Sequence, residues 1–273
     1  MRKNNSLLLS GPYIAWMVVF TLIPLGVVAY YALTDPNTGA LTLGNLSQLT
    51  EFLPVIWQSI WYSLISAIIC LLLGYPVAYY IAHRTPVMQK ILYMLVMLPM
   101  CMSFLLRTLA WVGLLQDTGI VNNILAALGL PRVQLIRTSG AVILGMVYNY
   151  LPYMILPLYA IIVKIDNRLI EAAEDLGCNG VQVFLRVVLP LSVPGILSGI
   201  TMVFVPAVST FYISQKLGGI DTVLIGDVIE RLFKQGNNAN LGAALSLVLM
   251  LLVFVCTGIM NRFGSDEEGG VVV

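Results

Sequence analysis

The sequence predicts an all-α integral membrane protein with six transmembrane helices, and three observations carry that prediction. Hydrophobic residues fill 59% of the 273 positions and charged residues only 10%, with a mean hydropathy of +0.92. Apolar runs of the length a bilayer core demands, about 20 helical residues, recur six times along the chain. Between them lie segments of turn-forming character, such as TDPNTG at 34–39, HRTP at 83–86, LGLPR at 128–132 and QGNNAN at 235–240.

The first run, Pro12–Leu33, follows Arg2 and Lys3, a pattern shared with signal peptides. Signal-peptide cores reach about 15 residues; this run is longer and holds Pro24, so an uncleaved first span is expected. The remaining spans read as Ile56–Ala82, Ile91–Leu115, Ala141–Val163, Val188–Phe211 and Leu241–Met260. No run contains Asp or Glu, and the one base is Arg107 in the third. Pro24, Pro76, Pro99, Pro152, Pro157, Pro194 and Pro206 lie inside the runs. Each removes a backbone donor, which suits helices that bend around a cavity, although kinked packing without motion explains any one of them. One membrane domain, residues 1–265, is expected, with 266–273 a disordered tail.

Basic residues on short flanks set orientation. With the N-terminus inside, the inner segments hold eight bases (Arg2, Lys3, Arg84, Lys90, Lys164, Arg168, Arg186 and Arg262) against five outside (Arg132, Arg137, Lys216, Arg231 and Lys234). Both termini are then cytoplasmic. Cys70, Cys101, Cys178 and Cys256 have no metal-ligand spacing and read as small hydrophobes. His83, the one histidine, reads as a solvated interfacial residue. With no acid or histidine inside the membrane there is no evident general base or metal cluster, and the ionisable groups that ion-coupled carriers place at mid-membrane are missing. No G-x-x-x-x-G-K-[ST] run exists to cradle nucleotide phosphates, so any ATP that drives this protein is hydrolysed by another chain. Neither an enzymatic activity nor a nucleic-acid partner is expected.

The segment 164–187 is the longest polar stretch on the inner side. Asp166 or Asn167 can cap a helix through Glu171, Ala172, Ala173 and Leu176, and Gly177 can close it. Asn179 can cap a second short helix with Val181, Phe184, Leu185 and Val188 on one face, and Pro190 marks the start of the fifth span. The expected product is a two-helix elbow. If Ile170, Ala173, Phe184 and Leu185 are exposed on it, they require a covering partner.

The run Glu171-Ala172-Ala173, three residues, Gly177, nine residues, then Val187, Val188, Leu189 and Pro190 resembles the EAA signature of permease subunits in bacterial ATP-binding-cassette importers, with Val187 where the signature has Ile. LGYPVAYYIA at 73–82, PLYAIIVKIDNRLIEAAEDLG at 157–177, PLSVPGILSG at 190–199, and the stretch from PAVSTFYIS to KLGG at 206–219 are similar to the B-type permeases of spermidine/putrescine importers. Related branches import iron, thiamine, sulfate or opines. The resemblance implies a type I importer permease (MetI-like) fold in a bacterial inner membrane. It implies a second, C-type permease, two copies of a P-loop ATPase that binds the ATP and Mg, and an extracytoplasmic polyamine-binding protein. It makes 164–187 the ATPase-coupling loop, with Glu171 orienting the docked helix, near whose N-terminus it favours the dipole, and with Ala172 and Ala173 allowing close approach.

A polycation crossing without buried carboxylates would be held by carbonyls, hydroxyls and ring faces. Candidates are Trp111, Asp117, Tyr148, Tyr150, Phe211, Tyr212 and Asp221, although packing or interfacial anchoring is the commoner use of each aromatic. Asp221, Asp227 and Glu230 form an acidic set that could instead dock the binding protein. Arg107 would repel a polycation, and a structural or gating role is expected for it.

Overall fold

The computed structural model describes residues 12–13, 15–35, 39–42, 44–235 and 238–268, and these are helical apart from loops and one isolated bridge between Thr34 and Leu41. The helices are α1 (Ala15–Ala32), α2 (Gln48–Ala82), α3 (Pro86–Cys101), α4 (Phe104–Leu115), α5 (Ile120–Ala127), α6 (Ser139–Ile162), α7 (Asn167–Asp175), α8 (Gly180–Val208), α9 (Tyr212–Leu217), α10 (Ile225–Lys234) and α11 (Ala239–Glu268). Six stretches are long and apolar enough to cross a membrane: α1, α2, α4 with α5, α6, α8, and Ala239–Met260 of α11.

The number of spans agrees with the sequence, but the third is displaced. Instead of one helix over Ile91–Leu115, α3 ends in a 3-10 turn at Leu98–Cys101, the chain is extended at Met102 and Ser103, and α4 begins at Phe104. Pro99 supplies the physical reason: it has no N–H to continue the ladder, so the turn tightens and the helix stops. The crossing then continues through α5 to Ala127. Pro24 lies just beyond another irregularity, the π-helical turn Val18–Leu22. α11 extends to Glu268, three residues into the segment read as a tail, and 269–273 lie outside the described residues.

The chain is described as two compact units, Met1–Pro54 with Val228–Leu252, and Val55–Asp227 with Val253–Val273. In the first, Ala32 of α1 packs with Ala243 and Ala244 of α11, flanked by Val28, Leu49 and Leu247. The amides of Asn45 and Asn240 both donate to the Thr34 carbonyl, fixing the chain just past the end of α1.

In the second unit the core is built on α6, where Val142, Met146, Met154 and Leu158 are fully buried at spacings of four and eight residues. Lipid is as apolar as leucine, so helices in a membrane associate by close packing and small residues rather than by expelling water. Gly195 and Gly199 of α8, four residues apart, let it lie on α6. A Cβ at Gly199 would stand 2.6 Å from Met154 Sδ, and one at Gly195 would stand 3.2 Å from the Pro157 carbonyl. A buried hydroxyl pair, Tyr75 and Ser192 at 2.8 Å, joins α2 to α8.

Candidate functional site

Two places carry features that packing alone does not explain, and both lie in the second unit. The first is the elbow at 164–190. Asp166 caps α7, its Oδ1 accepting the Arg168 N–H at 3.0 Å. Gly177 adopts φ +85°, where a Cβ would clash. The Cys178 N–H then reaches back to the Ala173 carbonyl and closes the helix. Asn179 and Gln182 form a reciprocal capping box at 2.9 Å in each direction. These starts and stops match the sequence reading.

The faces differ from it. Gly180–Val208 is one helix rather than a separate short helix before a span, because a π turn at Phe184–Val188 carries the ladder up to Pro190. The Leu189 N–H bonds to the Phe184 carbonyl, so the register has shifted by one residue before the proline withdraws its donor. The turn rotates Val183 and Val188 inward with Ala173, against Ile165, Ile170, Tyr79, Phe184 and Val187. Phe184 meets Tyr75 and Tyr79 of α2 edge-on at 5.4 and 6.1 Å. Ala173 and Phe184 are thus covered by the chain itself and Ile170 is half-buried. The apolar face left open is Leu169, Ala172, Leu176 (86% exposed), Val181 (67%) and Leu185. Glu171 is exposed at mid-helix, so the charge favouring the α7 dipole is that of Asp166. Leu189 is half-buried and Pro190 exposed.

The second place is a cavity of about 260 Å³ where two helix breaks meet. It is lined by Phe104 and Leu105 just after the α3–α4 break, Tyr150 of α6, and Ser209, Thr210, Phe211 and Tyr212 between α8 and α9. Of the pathway candidates, the structure gathers Tyr150, Phe211 and Tyr212 here, with Phe104 and Tyr212 ring to ring at 6.2 Å. Trp111 and Tyr148 form a separate edge-to-face pair at 5.3 Å. Asp117 and Asp221 are exposed away from this lining, and the Asp221 carbonyl accepts from Gln58 at 2.7 Å. The acidic set does not form a free surface: Asp227 is buried with its Oδ2 on the Leu224 N–H, and Glu230 pairs with Lys234. Phe104 and Thr210 escape a hydropathy reading, because the breaks that expose them lie inside uninterrupted apolar runs.

Arg107 lies in the first turn of α4 and is only 6% exposed. Its Nε and Nη1 have no hydrogen-bond partner among the described residues, and on α6 the Tyr150 hydroxyl donates to the Pro206 carbonyl at 3.3 Å. Among the described residues no three His, Cys, Asp or Glu side chains are grouped to hold a metal.

Six apolar spans and a capped elbow whose outer face is apolar and exposed are features of a transport permease. The chain belongs to the family described as the binding-protein-dependent transport system inner membrane component, whose model matches residues 71–265. It is therefore a multi-pass inner-membrane component and not itself an ATPase. It is 41% identical over 254 residues to the spermidine/putrescine transport system permease protein PotB of Haemophilus influenzae, covering 88% of this chain and 89% of that one. It is 34% identical to PotB of Escherichia coli over 249 residues, covering 88% and 90%. The inner membrane ABC transporter permease protein YdcU of Escherichia coli is 31% identical, covering 96% and 90%. Among solved structures, a bacterial ABC transporter involved in import of the acidic polysaccharide alginate superposes with TM-score 0.81 at 21% identity, over 97% of this chain and 96% of that one. The MetNI methionine transporter in an inward-facing conformation follows with TM-score 0.62 at 16% identity, covering 79% and 95%. These structures share the fold.

Proposed function

We propose that this chain is the B-type permease subunit of a spermidine/putrescine importer, pairing with a second permease and coupling through its elbow to a cytoplasmic P-loop ATPase that binds ATP and Mg. The elbow carries the reading. Its inner face is satisfied within the chain, while Leu169, Ala172, Leu176, Val181 and Leu185 present an apolar surface to a partner. Ala172 permits close approach and Glu171 orients the docked surface; Ala173 serves the internal contact. The polyamine assignment rests on the PotB relatives and on a cavity lined by ring faces and hydroxyls without a carboxylate. Such a lining suits brief cation–π contacts and rapid release, with tight binding left to an extracytoplasmic binding protein. Both termini lie in the cytoplasm in this reading. Arg107 serves as a gate or brace beside the cavity.

The test is ATP hydrolysis by this chain reconstituted in lipid with its candidate partner permease, ATPase and binding protein. Spermidine-loaded binding protein is expected to stimulate hydrolysis, and Glu171→Lys to abolish the stimulation. Hydrolysis indifferent to spermidine moves the substrate to another branch, and failure to assemble with any ATPase overturns the importer reading.

A further inference from the structure

A second cleft, of about 310 Å³, opens where the ends of α2 and α6 meet the start of α3. Ala82, His83 and Arg84 line it from the end of α2, Pro86 and Gln89 from the start of α3, Ile162 and Val163 from the end of α6, Asn167 and Ile170 from α7, and Val188 from α8. Its frame is built by a cross-brace. The Gln89 amide donates to the Ala82 and Arg84 carbonyls at 2.9 and 2.8 Å, and its Oε1 accepts from the Tyr159 hydroxyl at 3.3 Å.

The chemistry of the lining is cationic. No carboxylate lines it, whereas Arg84 does, stacked 4.1 Å from the Tyr80 ring and without an ion pair among the described residues. The His83 ring holds Nδ1 on the Tyr79 carbonyl at 2.8 Å; since a carbonyl only accepts, Nδ1 carries the hydrogen and Nε2 is the free nitrogen. α3 starts without a side-chain cap at Thr85, leaving its first N–H groups directed out of the helix end. Asp166, between the lining residues Ile165 and Asn167 in the chain, is occupied in capping α7, and Glu171, Glu174 and Asp175 are exposed on α7. Exposed Lys90, Lys164 and Arg168 each stand next in the chain to a lining residue.

We propose that this cleft binds the phosphate-bearing headgroup of an anionic phospholipid, with Arg84 as the principal contact, at the root of the elbow. The placement favours a lipid over a soluble phosphate. Ala82 and Ile162 are the last residues of two apolar spans and Pro86 is the first of an apolar helix, which puts the cleft at headgroup depth. An occupant there touches both the elbow and the spans it moves, and its presence sets how firmly α7 is seated.

The test is native mass spectrometry and thermal melting of the full chain in neutral detergent, with dioleoyl phosphatidylglycerol or dioleoyl phosphatidylcholine added. The readout involves neither ATP nor spermidine, so it stands or falls independently of the importer reading. The expected result is one retained phosphatidylglycerol, at least about tenfold tighter than phosphatidylcholine, whose choline cation offsets its phosphate charge and is disfavoured beside Arg84. Arg84→Gln should remove the preference. Asn167→Asp should remove it too, although an acid at the first position of α7 favours the fold by its dipole, so a lost preference there is not an unfolding artefact. Lys90→Gln should leave most of it. Equal retention of the two lipids, a preference that survives both cleft variants, or full competition by millimolar inorganic phosphate overturns the proposal.

Discussion

At the scale of single residues, Gly177 and Arg107 make opposite demands. Gly177 holds φ +85°, which costs a residue with a Cβ about 1–2 kcal/mol. Gly177→Val is therefore expected to loosen the elbow and Gly177→Asn to do so less; limited proteolysis within 164–187 in detergent should rank them Val, Asn, wild type from fastest to slowest. Arg107 carries a charge into a site where two of its donors find no partner. Replacing such a group with an apolar residue of similar length is often neutral or stabilising. Arg107→Met should leave the melting temperature unchanged or raised while uptake falls. A lowered melting temperature with unchanged uptake would remove the gate and leave only the brace. The residue scale was also where the sequence was most legible. Asp166, Gly177 and Asn179 all act locally, through bonds that reach two to five residues, so their roles could be read from spacing alone; Gln182, which completes the capping box, was not read.

At the scale of elements, legibility fell wherever a helix broke without a polar residue. Ile91–Leu115 reads as one apolar run, and only Pro99 hints that α3 stops at Cys101. The π turn at Phe184–Val188 is equally silent, and because it shifts the register, the single face read from Val181, Phe184, Leu185 and Val188 divides: Val188 turns inward with Val183, while Val181 and Leu185 stay exposed. Two predictions belong here. Gly195→Leu forces α8 off α6, against contacts already at 3.1–3.2 Å, and should cost about 1–3 kcal/mol, with Gly195→Ala milder; thermal melting in detergent checks the order. Phe184→Ala removes the ring seated on Tyr75 and Tyr79. In the reconstituted complex it should keep basal ATP hydrolysis and lose several-fold of the stimulation by loaded binding protein, since the elbow then moves without α2.

For the whole molecule, six spans and the location of the elbow were legible because hydropathy and charge are properties of long windows. The aromatic cavity was not, since Phe104, Tyr150 and Phe211 are far apart in sequence and meet only through two helix breaks. What a partner subunit covers can be tested at this scale. Leu169→Glu with Leu176→Glu alters exposed side chains, so melting should change by no more than about 0.5 kcal/mol. Copurification of the ATPase with the doubly substituted chain should nevertheless be lost.

The unbroken run of α8 from Gly180 to Val208 makes the elbow and the cavity wall two ends of a single lever. Its 29 residues give an arm of about 43 Å at 1.5 Å per residue. A tilt of about 5° pivoting near the elbow end sweeps the far end of the arm through about 4 Å, comparable to the width of an alkyl chain. Ser209 and Thr210 ride on that arm's tip. Opening and closing a passage for a slender substrate thus needs no relay of side-chain rearrangements between the ATPase and the membrane, only leverage.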